Sequence, residues 1–358
     1  MSGRKVVMVM SGFPRRSETF ALNELLALEA RGALASIFAT KPGDGASLQP
    51  GAERLMKRVR FLPQGSPVEQ ADFIVESLKG ERVGGIHGYF AHIPAEVAAH
   101  AATRLGVPYG FSTHARDARK VAPDELAERA RGAACVVACN TDVARDFERS
   151  GAQVHLLPHG VDLKRFRPQP LIHAGPLSLL AVGRLVEKKG FNILLAALAR
   201  IKFPFRLRIV GDGPERERLS KMITANKLEA RVTLDGGMTH EELPSAYGAA
   251  HVVVVPSIQD RSGDRDGLPN VVLEAMATGR PVVASRISAI ENAVAHGETG
   301  MLVPAGDPAA LADALEQLYP RPAHREHLGS NGRRRVEHDY EVGRCTEKFC
   351  HLMQNVYA

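Results

Sequence analysis

FRLRIVGDGPERERLSKMITANKLEARVTLDG (205–236) reads as a strand, a glycine turn, a helix and a second strand. A strand feeding a helix and then another strand is the repeating unit of a parallel sheet with helices on its faces. The same alternation extends in both directions. Upstream lie LSLLAVG (177–183) and a helix from about residue 190. Downstream come a helix over 239–248, HVVVVPS (251–257), a helix over 268–278 and PVVAS (281–285). The N-terminal half repeats the theme, with VVMVM (6–10) and strands expected at 34–39, 83–87, 107–112, 134–139 and 153–157. Leu22, Leu25, Leu26 and Leu28 give the first helix an apolar face, and Ser17 is its expected N-cap.

Between the halves, PHGVDLKRFRPQPLIHAGP (158–176) carries four prolines and no periodicity, so it reads as a linker. The expectation is an α/β protein of two doubly wound, Rossmann-like domains facing a cleft. The first domain spans 1–165 and the second 166–340. The helical-looking segment 341–358 follows. In open parallel sheets ligands bind beyond the carboxyl ends of the strands, so chemistry belongs in the loops after strands.

Composition narrows the class. The 358 residues suit two domains. With 44% hydrophobic and 24% charged residues, the chain reads as globular. No apolar run reaches the roughly 18–20 residues of a membrane span. The N-terminus, MSGRKVVMVMSGFP, reads as a core strand rather than a signal peptide, so a cytoplasmic location is expected. Cys135, Cys139, Cys345 and Cys350 match no zinc spacing, and no His cluster accompanies them; they read as ordinary buried or free thiols. Of the +6 net charge, five units fall in residues 1–170, which hold 23 Lys+Arg and 18 Asp+Glu. Clusters sit at Arg15-Arg16, Lys57-Arg58-Arg60 and Arg116-Arg119-Lys120. They read either as a solvated basic surface or as a face for an anionic membrane or lipid phosphate. Nucleic acid is not expected: aromatics are 5%, Trp is absent and no binding motif is present.

Four stretches carry candidate chemistry. In Gly183-Arg184-Leu185-Val186-Glu187-Lys188-Lys189-Gly190, Arg184 and Lys189 lie near a helix start, where free N–H groups and the dipole favour an anion such as a diphosphate. The alternative is two solvated charges. Val210-Gly211-Asp212-Gly213-Pro214 lacks the third glycine of a dinucleotide fingerprint. Its glycines also suit a plain tight turn, with Asp212 capping the helix. The stretch from Val255 through Asp266-Gly267-Leu268-Pro269-Asn270 to Glu274 is a polar loop running into a helix. Asp266 and Glu274, eight residues apart, are spaced by a little over two turns. Glu274 sits in an apolar run and needs donors. Finally, His114 follows the strand at 107–112, where a catalytic or sugar-binding side chain would project; a structural histidine reads equally well. Asp117 would orient its imidazole or cap the next turn. His87 reads as structural.

GRLVEKKG, IVGDGPER, VPS, DGLPNVVLEAMATGRPVVAS and LPHGVD together resemble glycosyltransferase family 4, with its two-domain GT-B fold. The match is in order and spacing through the C-terminal half. It is looser in SGFPRRSETF, HGYFAH and FSTHARDARK, whose style resembles the branch that builds bacterial exopolysaccharide or lipopolysaccharide. The resemblance implies a retaining, metal-independent hexosyltransferase. The donor would be a UDP- or GDP-linked sugar, with no separate cofactor, and the acceptor a saccharide or a lipid-linked saccharide. Arg184 and Lys189 would bind the donor diphosphate and neutralise the leaving group. Glu274 would hold the ribose hydroxyls. Asp266, with the amides of Gly267, Leu268, Pro269 and Asn270, would hold the transferred sugar and phosphate. His114 would contact that sugar near the reacting carbon. Gly12 and Gly211 join the donor-binding set, and segment 341–358 would cross back onto the first domain. A peripheral position on the inner membrane face fits the basic N-terminal half.

One departure stands out. The family pattern has Glu at both ends of Glu-x7-Glu, and here the first is Asp266, shorter by about 1.5 Å of reach. Asp264 and Asp266 also form an Asp-x-Asp, a metal signature in other transferase folds, but the cationic pair supplies that charge and no metal is expected. Three other readings stay open: an epimerase or hydrolase on this fold, a non-enzymatic two-lobed binding protein, and a nicotinamide oxidoreductase, the last weakened by the incomplete glycine motif.

Overall fold

The computed structural model describes residues 4–15, 18–43, 51–118, 120–148, 150–170 and 175–357. Arg16, Ser17 and Arg119, named above, lie outside them. The chain divides into two compact units: Met1–Gly160 with Val342–Ala358, and Val161–Glu341.

The first unit is built on Lys5–Met10 (β1), Leu34–Ala39 (β2), Val59–Phe61 (β3), Val83–Gly88 (β4), Tyr109–Thr113 (β5), Cys135–Ala138 (β6) and Val154–Leu156 (β7). They form one parallel sheet in the order β3-β2-β1-β4-β5-β6-β7. The second unit uses Leu177–Val182 (β8), Phe205–Val210 (β9), Val232–Gly236 (β10), Val252–Val255 (β11), Val282–Arg286 (β12) and Gly300–Pro304 (β13), in the order β10-β9-β8-β11-β12-β13 and again all parallel. Both are doubly wound sheets. The strand order reverses between β1 and β4 in one and between β8 and β11 in the other, and those reversals open the crevices where such sheets take ligands.

β1 and β11 are near-continuous apolar runs because helices cover both faces of their sheets. Five of the six residues of β1 are buried, as are all four of β11. β3 and β13 were not foreseen. β3 is a three-residue edge strand with no buried residue, so it leaves no apolar run to read.

The helix Val342–Tyr357 packs on the helix Thr19–Ala30 and on β1 of the first unit. Phe349, Met353 and Tyr357 are buried there, each worth about 1.5–3 kcal/mol of apolar burial. Glycines in β4 and β5 make room for the last ring. A Cβ on Gly85 would lie 2.2 Å from Tyr357 Cδ1, and one on Gly110 would lie 2.6 Å from its hydroxyl. His87 closes the contact, with Nδ1 2.9 Å from the Tyr357 hydroxyl and Nε2 2.9 Å from the Ser112 hydroxyl. Burial drives the His87 pKa down to about 3, so it stays neutral and structural.

The first part of the expected linker is ordered packing. The Val161 amide donates to the Tyr340 carbonyl at 2.8 Å, and Phe166 is buried edge-on against Tyr247. This moves the start of the second unit from residue 166 to Val161. Among the described residues, no helix is long and apolar enough to cross a membrane.

Candidate active site

In the second unit the loops after β8, β9 and β11 are interlocked backbone to backbone. A Cβ on Gly190, whose φ is +65°, would lie 1.8 Å from the Pro256 carbonyl oxygen. One on Gly211 would lie 1.9 Å from the Gly183 oxygen, and one on Gly213 would lie 2.4 Å from the Leu185 oxygen. The glycines of Gly211-Asp212-Gly213 thus serve loop-on-loop contact, the tight-turn reading. Asp212 does not cap the helix Arg216–Ala225, which has no side-chain cap. Its carboxylate accepts from the Gly237 amide at 2.6 Å instead.

These loops bring four charges together at the carboxyl ends of β8 and β11. Lys189 Nζ lies 2.7 Å from Asp266 Oδ2. Lys188 Nζ lies 3.3 Å from Asp266 Oδ1 and 3.1 Å from Asp264 Oδ2. Ser257 donates to Asp266 Oδ2 at 3.2 Å. Burial alone would raise the Asp266 pKa, but Lys189 and Lys188 outweigh it and hold the carboxyl below its usual range. The Asp-x-Asp pair is therefore engaged by lysines. Arg184 is exposed, and its guanidinium pairs with no carboxylate among the described residues. Lys188 and Ser257 were in the quoted motifs without an assigned role, and no spacing rule would have singled them out.

Gly267, Leu268, Pro269 and Asn270 lead into the helix Asn270–Ala277, whose N-cap is Pro269. Pro269 has no N–H, so anion contact from this stretch falls to the other three amides. One side of that helix carries Glu274, buried at 6% exposure. The donor it needed is Tyr247, whose hydroxyl gives a 2.7 Å bond to Oε2. Burial raises the Glu274 pKa, while Tyr247 and the more distant Arg165 pull it back. Buried Arg280 donates to the carbonyls of Tyr247 (3.1 Å) and Gly248 (2.7 Å), pinning the helix Leu243–Gly248 that presents Tyr247.

The first unit has a different deck. Gly12 follows β1 and is buried under Arg15; a Cβ there would sit 3.0 Å from Arg15 Nε. His114 follows β5. Its ring packs among Phe20 (centroids 5.0 Å apart), Phe90 (5.2 Å), Tyr89 (5.7 Å) and His159 (5.0 Å). Burial, then the neighbouring His159, hold its pKa well below the usual value, so the imidazole is neutral. Asp117 accepts from the amides of His114 and Ala91, each at 2.6 Å. It thereby ties the loops after β5 and β4 together. Its carboxylate lies 3.6 Å from His114 Nδ1, beyond hydrogen-bond length. Burial lifts the Asp117 pKa to about 7 in spite of those amide bonds. Tyr89 donates to buried Glu24. Folding also brings Cys139 beside His114 and His159, correcting the expectation that no histidines accompany the cysteines. Phe20, Glu24, Tyr89 and His159 left no sequence signal of a shared site.

Two parallel-sheet, Rossmann-like units, each with a strand-order reversal, have the architecture of the GT-B fold. The comparisons agree. Residues 162–335 match the family "Glycosyl transferases group 1", and residues 17–165 match "Glycosyltransferase Family 4". The chain is 28% identical to the putative colanic acid biosynthesis glycosyltransferase WcaL of Escherichia coli K12, covering 98% of this chain and 99% of that one. Its fold is similar to that of Anabaena Alr3699/HepE, solved in complex with UDP (TM-score 0.83, 19% identity, 98% and 100% coverage). It is also similar to sucrose-phosphate synthase from Thermosynechococcus elongatus (TM-score 0.80, 25% identity, 99% of each chain). The chain belongs to glycosyltransferase family 4.

Proposed function

We propose that this glycosyltransferase moves a hexose-type sugar, with retention of the anomeric configuration and without a metal, from a UDP- or GDP-linked donor to a saccharide or lipid-linked saccharide in cell-surface polysaccharide synthesis. The reading rests on one observation: Lys188 and Lys189, on the loop after β8 that also carries Arg184, are held by Asp264 and Asp266 of the loop after β11, and that loop runs into the helix whose buried Glu274 carries its own donor. Cleaving the sugar–phosphate bond leaves negative charge on the diphosphate, and fixed cations stabilise it most as it develops. Lys189 and Lys188 move from Asp266 to the diphosphate, and the freed Asp266 carboxylate takes hydroxyls of the transferred sugar. Gly267, Leu268 and Asn270 offer amides to the phosphate, and Glu274 receives the ribose. His114, kept neutral, meets the transferred sugar near its reacting carbon, in an oxocarbenium-like transition state. Gly12 lets the Arg15 side chain close over the loop after β1, where it would meet the donor. The name of the E. coli relative supports polysaccharide synthesis as the setting. The basic surface of the first unit supports peripheral attachment to an anionic cytoplasmic membrane face.

The test is incubation with labelled UDP- and GDP-sugars, with and without glycan acceptors, in the presence of a chelator. The expected product is an acceptor-linked sugar whose anomeric coupling matches the donor's. Conversion of the donor without acceptor would indicate an epimerase instead. Binding without turnover on any acceptor would indicate a binding protein.

A further inference from the structure

β5, β6 and β7 are neighbours in the first sheet. Just beyond their carboxyl ends they deliver His114, Cys139 and His159 respectively. One ligand atom from each lies within 4.8 Å of the other two. Ligands around a tetrahedral zinc ion, with bonds of about 2.0–2.3 Å, stand roughly 3.3–3.8 Å apart. Closing the set therefore takes shifts of about 1 Å, within reach of small side-chain rotations.

Three further observations point to a ligand here. His114 Nδ1 and both ring nitrogens of His159 are buried without a hydrogen-bond partner among the described residues, whereas buried polar atoms ordinarily find one. An outer carboxylate stands behind His159: Glu24 Oε1 lies 3.7 Å from its Nδ1, which leaves Nε2 for the ion. Carboxylates placed behind ligating imidazoles orient them and raise their basicity. Asn140 Nδ2 reaches Cys139 Sγ at 3.1 Å, a donor aimed at the sulfur. Phe20, stacked on His159 with centroids 4.1 Å apart, walls one side. A set of one thiolate and two imidazoles suits zinc and excludes magnesium and calcium, which take oxygen ligands. Three protein ligands leave a fourth position open, as in exchangeable sites.

We infer that His114, Cys139 and His159 bind one zinc-class cation, and that its occupancy withdraws His114 from the donor sugar and switches transfer off. The switching half rests on the role proposed above for His114; the binding half does not. The transfer chemistry proposed above uses neither Cys139 nor His159.

The test uses the full chain, stripped with chelator, in two arms. In the first, Co²⁺ and then Zn²⁺ are titrated against a chromogenic competitor. One equivalent should bind, Co²⁺ should show a thiolate charge-transfer band, and Zn²⁺ should displace it. Cys139→Ser and His159→Ala should each weaken binding by at least about 10–100-fold, and Cys345→Ala should leave it unchanged. Cys139→Ala stands in if the serine variant melts early. A wild-type chain that binds no equivalent, or a Cys139 variant that binds as well, overturns the site. In the second arm, Zn²⁺ should stop transfer by the wild type, while Cys139→Ser keeps its basal rate and resists. Bound zinc with unchanged transfer, or equal inhibition of Cys139→Ser, overturns the switch. A chain with no transferase activity defeats the functional reading instead and leaves the first arm decisive.

Discussion

The two units share a strand order but finish their reversals differently. Around β8 and β11 the side chains are Lys188, Lys189, Asp264 and Asp266, joined as ion pairs, with Arg184 open beside them. In the first unit the corresponding deck is aromatic and imidazole: Phe20, Tyr89, Phe90, His114 and His159. One is built to exchange an internal anion for an external one. The other keeps a neutral histidine in a low-dielectric wall. A common topology thus fixes where ligands bind, and the residues after each strand decide what binds there.

The contrast is sharpest for Lys189. Lys189→Ala removes the nearest cation of half-buried Asp266 and leaves it Lys188 and Ser257, so it should cost about 1.5–3 kcal/mol in denaturant unfolding. It should also lower turnover by at least about 100-fold. Arg184 makes no such internal pair, so Arg184→Ala should lower turnover by a similar factor of about 100 while the melting temperature stays put. Equal stability losses in both variants would erase the distinction between a lysine traded for the donor and an arginine kept ready for it. Tyr247→Phe should cost about 1–3 kcal/mol by leaving Glu274 without its donor. Because Tyr247 pulls down a pKa that burial raises, the variant should also lose nucleotide affinity at a higher pH than the wild type as the solution is acidified. A pH series of Kd values checks this.

On the aromatic side, His114→Ala should lower kcat by about tenfold, roughly 1.4 kcal/mol, with nucleotide Kd unchanged. A weakened Kd would move His114 into nucleotide binding. The smallest effect is on acid stability. The Asp266 pKa is depressed in the folded state, so its stabilisation is present above the unfolded value of about 3.9 and disappears as pH falls through the lower folded one. Asp266→Asn should flatten that acid limb in a pH-dependent melt.

Legibility in the sequence follows the same divide. β8 through β12 read off to within one or two residues: β8, β11 and β12 as near-continuous apolar runs, and the partly exposed β9 and β10 by apolar alternation bounded by glycine turns. β3, half-exposed at an edge, left none. Arg184, Lys189, Asp266 and Glu274 were visible because each lies in a strand–loop–helix segment with local signals. Their partners were not. Tyr247 meets Glu274 from another helix, 27 residues away. Lys188 meets Asp264 across 76 residues. The trio of His114, Cys139 and His159 depends on β5, β6 and β7 lying side by side, a fact of sheet order that no residue spacing encodes.

The most direct measurement is calorimetric titration of UDP and GDP into the wild-type chain and Arg184→Ala, with the monophosphates UMP and GMP as controls. At least one diphosphate should bind the wild type more tightly than its monophosphate, and Arg184→Ala should remove most of that difference by weakening the diphosphate at least about tenfold, or roughly 1.4 kcal/mol. Equal affinity of wild type and variant for the diphosphate, or no preference over the monophosphate, would contradict a pyrophosphate seat at the end of β8.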